Sequence, residues 1–508
     1  MNRRAFVTWS TAGLASAMAQ VRLRGATLKA GFSEADITPE IGMEMPGGYS
    51  KVFHKSLHDP CKVRAAVFDD GGRPIALVGV DALAIPRQVV APARGEIAAR
   101  CGIEPGCVMV GASHSHSSGP IGMVLPGQFD DAPELVRKLA YEESSCADPR
   151  YLKLVQDRIV SAVCDAFTRR REMALGVGFV REDTVAFNRR FRMRNGHTFT
   201  HPGQGNPEIL APAGPIDPEV GVLGAWDAQG NLAGCVVNYA CHGTTNPGSG
   251  GISANWIYYL ERSIRALYGD HLPVVFLQGF SGDITQVNNL NPYHHPAPDD
   301  WMRLVGGAVG EAAARVLLAT GRGELSPLDA ASAIVKIRRR VPDPARVERC
   351  YALVAQGRPH SGDLTAWLFA KEIVLLDARL KREPVADVEV QALQVGPAVF
   401  ISTPGEMFVE FGLALKKSSP FPFTFPVELA NDFIGYIPTE EAFDPLAGGG
   451  YETRLTSYSN LEPSAGRQMV EAALALVRKL HPGASLRQPA PPPFRAPWSY
   501  GNVPPELH

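Results

Sequence analysis

The sequence predicts a single large α/β domain in which mixed β-sheets are flanked by helices. Runs rich in β-branched residues alternate with segments of helical periodicity along most of the chain, as expected for an α/β domain. With 508 residues, 45% of them hydrophobic and 20% charged, the chain is long enough to bury one large core or two. This balance excludes collagen-like and disordered classes.

The composition also excludes two classes of function. No run of about 20 apolar residues occurs, so the sequence predicts no transmembrane anchor. The 50 Lys and Arg residues are matched by 52 Asp and Glu, for a formal net charge of -2. That balance leaves no basic bias for holding a phosphate backbone, and we expect no nucleic-acid partner.

The amino-terminal residues have the features of an export signal. Arg3 and Arg4 precede a modest apolar stretch at 7–18, and an Ala-x-Ala sequence ends at Ala19. This order resembles a twin-arginine signal peptide over residues 1–20. A frayed basic helix is the alternative. The export interpretation predicts a periplasmic or secreted protein.

The first predicted strands form a hairpin. Residues 63–69 and 75–80 are apolar, β-branched runs that flank Asp70-Gly71-Gly72-Arg73, a sequence typical of a tight turn. Downstream, periodicity predicts strands at 107–110, 235–239, 274–277 and 398–402, and helices at 91–99, 150–169, 256–268 and 301–318.

The remaining segments of the chain show less regular patterns. A pair of helices is predicted within 345–382, and the Gly- and Pro-rich stretches 203–218 and 420–426 are predicted loops. We place one domain at 28–482 and a Pro-rich tail at 483–508.

The eight cysteines form no C-x-x-C pair, which argues against zinc-thiolate and thioredoxin-like chemistry. We expect most of them to be core thiols. An exported protein meets an oxidising environment, and the even count allows one or two disulfides there.

Short polar clusters follow the predicted strands, where ligands collect in α/β folds. His114 and His116 form an H-x-H pair, which places two imidazoles on one side of an extended chain. With a distant third histidine such as His242 and a carboxylate, the pair suits zinc with an open position for water. Taken alone, an H-x-H pair is more often two surface histidines on a loop than two metal ligands, and a lone histidine such as His242 is more often a hydrogen-bonded core residue.

These clusters match a known family in order and type. Residues 30–39 read A-G-F-S-E-A-D-I-T-P, 113–120 read S-H-S-H-S-S-G-P, 238–245 read N-Y-A-C-H-G-T-T, and 435–441 read G-Y-I-P-T-E-E. From residue 30 to Glu452 the chain resembles the neutral/alkaline (non-lysosomal) ceramidases. The resemblance implies a zinc hydrolase domain of neutral ceramidase type that cleaves linear amides of N-acyl compounds.

The resemblance also implies a site. Carried over residue by residue, the ligands of one Zn²⁺ ion are His114, His242, Glu406 and Tyr436. Zinc lowers the pKa of bound water from 15.7 toward about 7, which supplies a nucleophile at neutral pH.

Four further residues have implied catalytic roles. His116 is expected outside the metal shell, where it hydrogen-bonds the attacked oxygen or protonates the leaving amine. Arg189 and Tyr451 match residues that line the family's pocket and would stabilise an oxyanion. For Arg189 the alternative is a surface charge among neighbouring arginines. Thr285 stands where ceramidases have a serine important for activity.

The chain departs from the family pattern near these residues. Residues 282–286 read G-D-I-T-Q instead of G-D-[VI]-S-P, and residues 188–190 read N-R-R instead of N-R-S. Of N-P-x-x-E-R, only N-P-E remains at 206–208. The carboxy-terminal immunoglobulin-like domain of ceramidases is not expected after residue 482. Specificity for ceramide is therefore less firmly implied than amide hydrolysis.

The leading expectation is an exported zinc-dependent amidohydrolase that acts on a small-molecule or lipid amide. An ester or lactone hydrolase could use the same metal and oxyanion groups. A binding protein that has kept the pocket and lost turnover is the alternative from another class. The sequence gives no indication of oligomeric state.

Overall fold

A computed structural model describes residues 28–359, 363–486 and 498–508. The predicted signal peptide, residues 1–20, lies outside the described residues. Mixed β-sheets between helices form the described chain, so the predicted fold class is confirmed. No helix among the described residues is both long and apolar enough to cross a bilayer.

The strands fall into three larger sheets and three small ones. In chain order they are β1 Lys29–Asp36, β2 Lys62–Asp69, β3 Ile75–Val80, β4 Val108–Ala112, β5 Arg171–Glu172, β6 Ala174–Arg181, β7 Phe187–Asn188, β8 Arg190–Met193, β9 Thr198–Thr200, β10 Ile209–Pro212, β11 Glu219–Trp226, β12 Leu232–Tyr239, β13 Val274–Gln278, β14 Ile284–Thr285, β15 Leu328–Arg338, β16 Val385–Val395, β17 Ala398–Ser402, β18 Glu406–Met407, β19 Phe423–Val427 and β20 Tyr436–Ile437.

The helices pack mainly on the outer faces of the larger sheets. They are α1 Arg87–Cys101, α2 Glu134–Tyr141, α3 Pro149–Thr168, α4 Trp256–Tyr268, α5 Pro298–Ala319, α6 Pro344–Val354, α7 Leu364–Leu380, α8 Val409–Ser418 and α9 Ala465–Val477.

Two mixed sheets lie face to face at the centre. One has the strand order β4-β3-β2-β1-β5 and the other β13-β12-β11-β6. Side chains alternate along the second sheet: Leu223 and Val236 join the core shared with the first sheet, whereas Val222 and Val237 join the core under α4 and α5. The period of two buries both faces, which explains why these strands are almost continuously apolar.

A third sheet, with the order β15-β16-β17-β19, completes the framework. Its β17 and β19 run parallel, and α9 covers one face. The predicted hairpin at 63–80 is confirmed as antiparallel β2 and β3, and the predicted helix pair within 345–382 is confirmed as α6 and α7.

The two predicted loops were partly wrong. Residues 209–212 form β10, and residues 423–427 form β19. Proline lacks the backbone N–H that a strand donates, which is why the Pro-rich stretch resembled a loop. β19 is at the edge of its sheet, so Pro426 can lie opposite Ile401 in β17 without leaving a central strand unpaired.

Candidate metal centre

Two histidines from different sheets meet at the centre of the site. His114 follows β4 and His242 follows β12, and both are at most 2% exposed. Nδ1 of His114 lies 2.8 Å from the carbonyl oxygen of Leu83, and Nδ1 of His242 lies 2.9 Å from that of Ser281. A carbonyl oxygen only accepts, so each Nδ1 carries a proton, and in the neutral imidazole Nε2 then presents a lone pair.

The two lone pairs converge on a carboxylate. The Nε2 atoms of His114 and His242 are 3.0 Å apart. Oε2 of Glu406 lies 3.3 Å from the first and 3.5 Å from the second, and it is buried with no hydrogen-bond partner among the described residues. Three acceptors facing one another repel unless a cation lies between them. The donor set, with both Nδ1 atoms anchored, therefore fits a metal ion such as Zn²⁺.

His116 lies next to His114 and His242 at the centre of the site. Its Nε2 is 3.4 Å from Nε2 of His114, and the ligand atoms of His114, His116 and His242 all lie within 4.8 Å of one another. As a whole residue His116 is only partly buried, unlike the other two. Desolvation, together with His114 and Arg189, lowers the pKa of His116 well below its usual value. His116 is thus within reach of a metal, although the sequence led us to expect it outside the shell.

Glycines allow the histidine segments to approach closely. The N–H of His116 donates to the carbonyl oxygen of Gly243 at 3.1 Å. A Cβ atom on Gly243 would lie 2.2 Å from the carbonyl oxygen of His114. Only glycine fits at this crossing, so the G of the H-G-T sequence after His242 has a packing role.

Glu406 and Tyr436 are neighbours through strand pairing. They are direct partners in the parallel pair β18 and β20, which places their side chains next to each other. The Tyr436 ring is 7% exposed and faces the Arg189 guanidinium at 5.5 Å. Burial, and then the nearby Glu406 carboxylate, raise the pKa of Tyr436 well above its usual value.

Arg189 is a buried, positively charged residue. Its side chain is 8% exposed, and Nε donates to Oε1 of Glu452 at 2.7 Å. Nη2 donates to the carbonyl oxygen of Gly282 at 2.7 Å, and Nη1 lies 3.3 Å from Nε2 of His242. The alternative interpretation of Arg189 as one of several surface arginines does not fit this burial.

Tyr451 belongs to a group of tyrosines that the sequence did not reveal. The Tyr49 hydroxyl donates to the Tyr451 hydroxyl at 2.9 Å and also contacts that of Tyr458. The Tyr436 and Tyr451 rings are 5.6 Å apart. Tyr49 is far along the chain from every other site residue, so no motif spacing could have indicated it.

Tyr49 lies in a hairpin over the histidines, which we call the 42–54 hairpin. Backbone hydrogen bonds join its two arms, including Gly42 N–H to His54 O at 3.0 Å and Met45 N–H to Val52 O at 2.7 Å. Near its tip, Gly47 has φ +91°, and a Cβ atom there would lie 2.5 Å from Nδ1 of His116. The hairpin therefore forms one wall of the site.

Thr285 lies beside the site. Among the described residues, its hydroxyl forms no hydrogen bond with the histidines. Its hydroxyl donates to Oε1 of Gln286 at 3.2 Å and accepts from Val287 N–H at 3.3 Å. The same Gln286 oxygen accepts from the Thr244 hydroxyl at 3.0 Å. Asp283 is occupied elsewhere, by Asn188 Nδ2 and Val409 N–H.

Glu428 is a further residue that sequence reasoning missed. Its carboxylate accepts from the Ser281 hydroxyl at 2.6 Å and from Met407 N–H at 2.9 Å. Ser281 holds His242, and Met407 follows Glu406. Burial raises the pKa of Glu428 well above its usual value. The carboxylate thus ties together the backbones that carry two of the site residues.

A small cavity adjoins Tyr458. It measures about 40 Å³, and its lining mixes apolar residues such as Ile121, Leu125 and Phe433 with the polar Gln128, Arg379 and Ser457. A wider cleft of about 840 Å³ shares Leu125, Phe433 and Ile434 with it and is otherwise lined largely by charged residues: Arg87, Arg339, Arg379, Glu383, Asp387 and Asp432.

The fold and the site define a mixed α/β protein with a buried histidine-carboxylate centre able to hold a metal ion. Among solved structures, the chain is similar to a ceramidase complexed with C2, with a TM-score of 0.66 at 20% identity over 92% of this chain and 77% of that one. It is also similar to neutral ceramidase from Pseudomonas aeruginosa, with a TM-score of 0.65, 20% identity and the same 92% and 77% coverage.

No protein-family model matches the chain, and no curated protein matches it either. The two structural matches show that the chain has the neutral ceramidase fold. The resemblance carried by its motifs is thus confirmed at the level of the fold.

Proposed function

We propose that this protein is a metal-dependent hydrolase that cleaves a linear amide bond of an N-acyl compound. The observation that carries the proposal is the convergence of two Nδ1-anchored histidines, 3.0 Å apart at Nε2, on Oε2 of Glu406, which has no hydrogen-bond partner in the described part of the chain. A cation between these acceptors would relieve their mutual repulsion. The fold similarity to ceramidases supports the choice of the amide bond.

His114, His242, Glu406 and Tyr436 would hold a zinc ion. When bound, zinc supplies a Lewis acid that makes a coordinated water acidic near neutral pH. His116 is placed to accept a proton from the attacking water and to return it to the leaving amine, because its Nε2 lies 3.4 Å from that of His114 and its lowered pKa keeps the imidazole neutral.

Arg189 and Tyr451 would stabilise the negative charge that develops on the carbonyl oxygen. Arg189 is held by Glu452 and by Gly282 O, and Tyr451 by the Tyr49 hydroxyl. Groups fixed in this way need little reorganisation as the charge forms, which is the basis of oxyanion stabilisation.

The proposed substrate is a lipid-like amide. A hydrocarbon portion of an N-acyl amine could lie against Leu125, Phe433 and Ile434, the apolar residues shared by the small cavity beside Tyr458 and the wider cleft. Thr285 and Gln286, where ceramidases have Ser-Pro, bring a different hydrogen-bonding surface, so a ceramide-like lipid is one member of the proposed class and not the whole of it.

Export to the periplasm or beyond is part of the proposal and is supported by the Arg3-Arg4 sequence. Amino-terminal sequencing of the exported protein should find a new terminus near Gln20.

Elemental analysis combined with hydrolysis assays tests the function. We expect zinc in the purified protein and hydrolysis of N-acyl amides in preference to esters with the same acyl chain. His114→Ala and His242→Ala should each lose metal and turnover together, because each removes a ligand. His271→Ala, at an exposed histidine, is the matched control.

Three results would contradict the proposal. Near-native zinc and turnover in either ligand variant would make the ligand set wrong. Faster hydrolysis of the esters would favour an esterase. Full metal content without hydrolysis of any acyl substrate would indicate a binding protein.

A further inference from the structure

Two cysteine sulfurs meet between the helices that cover the first sheet. Cys101 is the last residue of α1, and Cys164 lies in the last turns of α3. Both are free thiols, and their Sγ atoms are 2.9 Å apart. A disulfide bond is about 2.0 Å long, so a small torsional adjustment of the two side chains brings the sulfurs to bonding distance. We propose that Cys101 and Cys164 are oxidised to a disulfide that links α1 to α3.

The pairing is specific to these two cysteines. Among the hydrogen bonds of the described residues, theirs is the only one that joins two sulfurs. Cys146 instead contacts the carbonyl oxygen of Ala140 at 3.0 Å, and Cys235 and Cys241 are fully buried. The even cysteine count allowed a disulfide, and the geometry assigns it to one pair.

The surroundings of the pair indicate that Cys101, and not Cys164, reacts first with an external oxidant. Cys101 is partly exposed, whereas Cys164 is 7% exposed. Cys101 is therefore the sulfur that an external oxidant reaches first. Burial, and then Cys164, raise the pKa of Cys101 to about 12. Few thiolates are present near neutral pH, so oxidation should be slow and should accelerate at higher pH.

The chemistry balances with a disulfide as the oxidant, either a thiol oxidase or oxidised glutathione. The Cys101 thiolate attacks one sulfur of the oxidant, forms a mixed disulfide and releases one thiolate. The Cys164 thiolate then attacks the Cys101 sulfur and releases the second. Two protons leave the protein, and the oxidant gains two electrons. An exported protein would meet such oxidants, as the sequence predicts for this one.

The link would stabilise the layer from which His114 emerges. α3 packs on β1 and β2, and α1 packs on α3, so a bond between the helices constrains the outside of the first sheet. The bond closes a loop of many residues, and such a constraint destabilises mainly the unfolded chain. It touches no residue of the candidate metal centre and does not depend on which bond that centre hydrolyses.

Peptide mapping without reductant tests the proposal on the full-length protein. After equilibration with a glutathione buffer poised near -190 mV, in the oxidising range of secretory compartments, we expect one cross-linked peptide that contains Cys101 and Cys164. We also expect two titratable thiols to be lost from the eight cysteines. Reduction should lower the thermal midpoint by a few degrees.

Variants separate this pair from the other thiols. Cys350→Ser, at a partly exposed cysteine, should keep the cross-linked peptide. Cys101→Ser should abolish it and make the thermal midpoint insensitive to reductant. The proposal is overturned if the wild-type protein retains eight titratable thiols, or if the cross-link joins any other pair. Mapping of the wild type decides the matter even if Cys101→Ser fails to fold.

Discussion

His116 could act either as a proton-transfer group or as a metal ligand, since its Nε2 lies 3.4 Å from that of His114. Substitution of His116 distinguishes the two roles. If it transfers protons, His116→Ala should retain metal and lose about 10²-fold in kcat, the scale of general acid-base catalysis. Elemental analysis and steady-state kinetics on the same sample provide the readout. Loss of metal in this variant would make His116 a ligand instead.

Thr285 has hydrogen-bond partners that point to a structural use of its hydroxyl. Thr285→Val removes the acceptor of Val287 N–H and one donor to Gln286, at nearly constant volume. We expect a loss of about 1–3 kcal/mol in the free energy of unfolding, the cost of leaving a buried polar group unpaired. Thr285→Ser should be nearly neutral. Urea unfolding measures both.

Thr244→Val is the matched control, because it removes the other hydroxyl that donates to Gln286 and leaves Val287 N–H paired. It should cost less than Thr285→Val. A covalent acyl-threonine detected by mass spectrometry during turnover would contradict a structural role and make Thr285 a nucleophile. Asp283 is bonded to Asn188 and Val409, which argues against its acting as the base that such a nucleophile needs.

At the scale of elements, the 42–54 hairpin can be tested with two glycines in the same conformation. Gly42 has φ +93° and Gly47 has φ +91°, so an alanine pays a similar backbone penalty at either position. A Cβ atom at Gly42 meets nothing within 4 Å, whereas one at Gly47 meets His116 at 2.5 Å. Gly47→Ala should therefore displace the imidazole, and Gly42→Ala should not.

We expect Gly47→Ala to lower kcat at least about 10-fold, because a misplaced proton-transfer group loses much of its contribution, with metal content unchanged. Gly42→Ala should remain within a few-fold of the wild type while showing similar thermal destabilisation. Equal kinetic losses in both variants would mean that backbone strain, and not contact with His116, is responsible.

The sequence predicted elements well where burial on both faces makes a strand continuously apolar, as in β3 and β17. It was wrong about β19, because a proline is tolerated only at a sheet edge and the order of strands cannot be read from one sequence. It placed His114, His242, Glu406 and Tyr436 together through family motifs. Tyr49 and Glu428 were missed, since tertiary packing alone brings them to the site.

At the scale of the whole molecule, a buried ion cluster joins the first sheet to the helix layer of the second. Arg64 in β2 is 2% exposed, and its Nη1 donates to Oδ2 of Asp81 at 2.8 Å. Its Nη2 contacts Glu261 in α4, which also pairs with Lys62 at 2.9 Å. Because the charges come from separate layers, losing one partner affects how the layers hold together.

Removing the arginine should be costly. Arg64→Met leaves Asp81 buried without its cation, and we expect a loss of about 3–5 kcal/mol in the free energy of unfolding at pH 7. The double variant Arg64→Met, Asp81→Asn should recover part of that loss, since it removes the unpaired Asp81 charge, whereas Glu261 keeps Lys62 and Arg265 as partners. Lys336→Met, which breaks an exposed pair with Asp387, should change stability by at most about 0.5 kcal/mol.

The penalty of Arg64→Met should also depend on pH. Burial raises the pKa of Asp81 to about 6 against the opposing effect of Arg64, and its ordinary value is 3.8. Without Arg64 the folded-state pKa rises further, so the folded protein takes up a proton more readily than the unfolded chain. A raised folded-state pKa means that stability increases as pH falls through that pKa toward 3.8. The difference between wild type and Arg64→Met, measured by urea unfolding, should therefore shrink as pH falls from above 7 to about 6, where Asp81 of the wild type also takes up a proton. A difference that stays constant over this range would show that lost packing of the arginine side chain, and not the unpaired Asp81 carboxylate, accounts for the destabilisation.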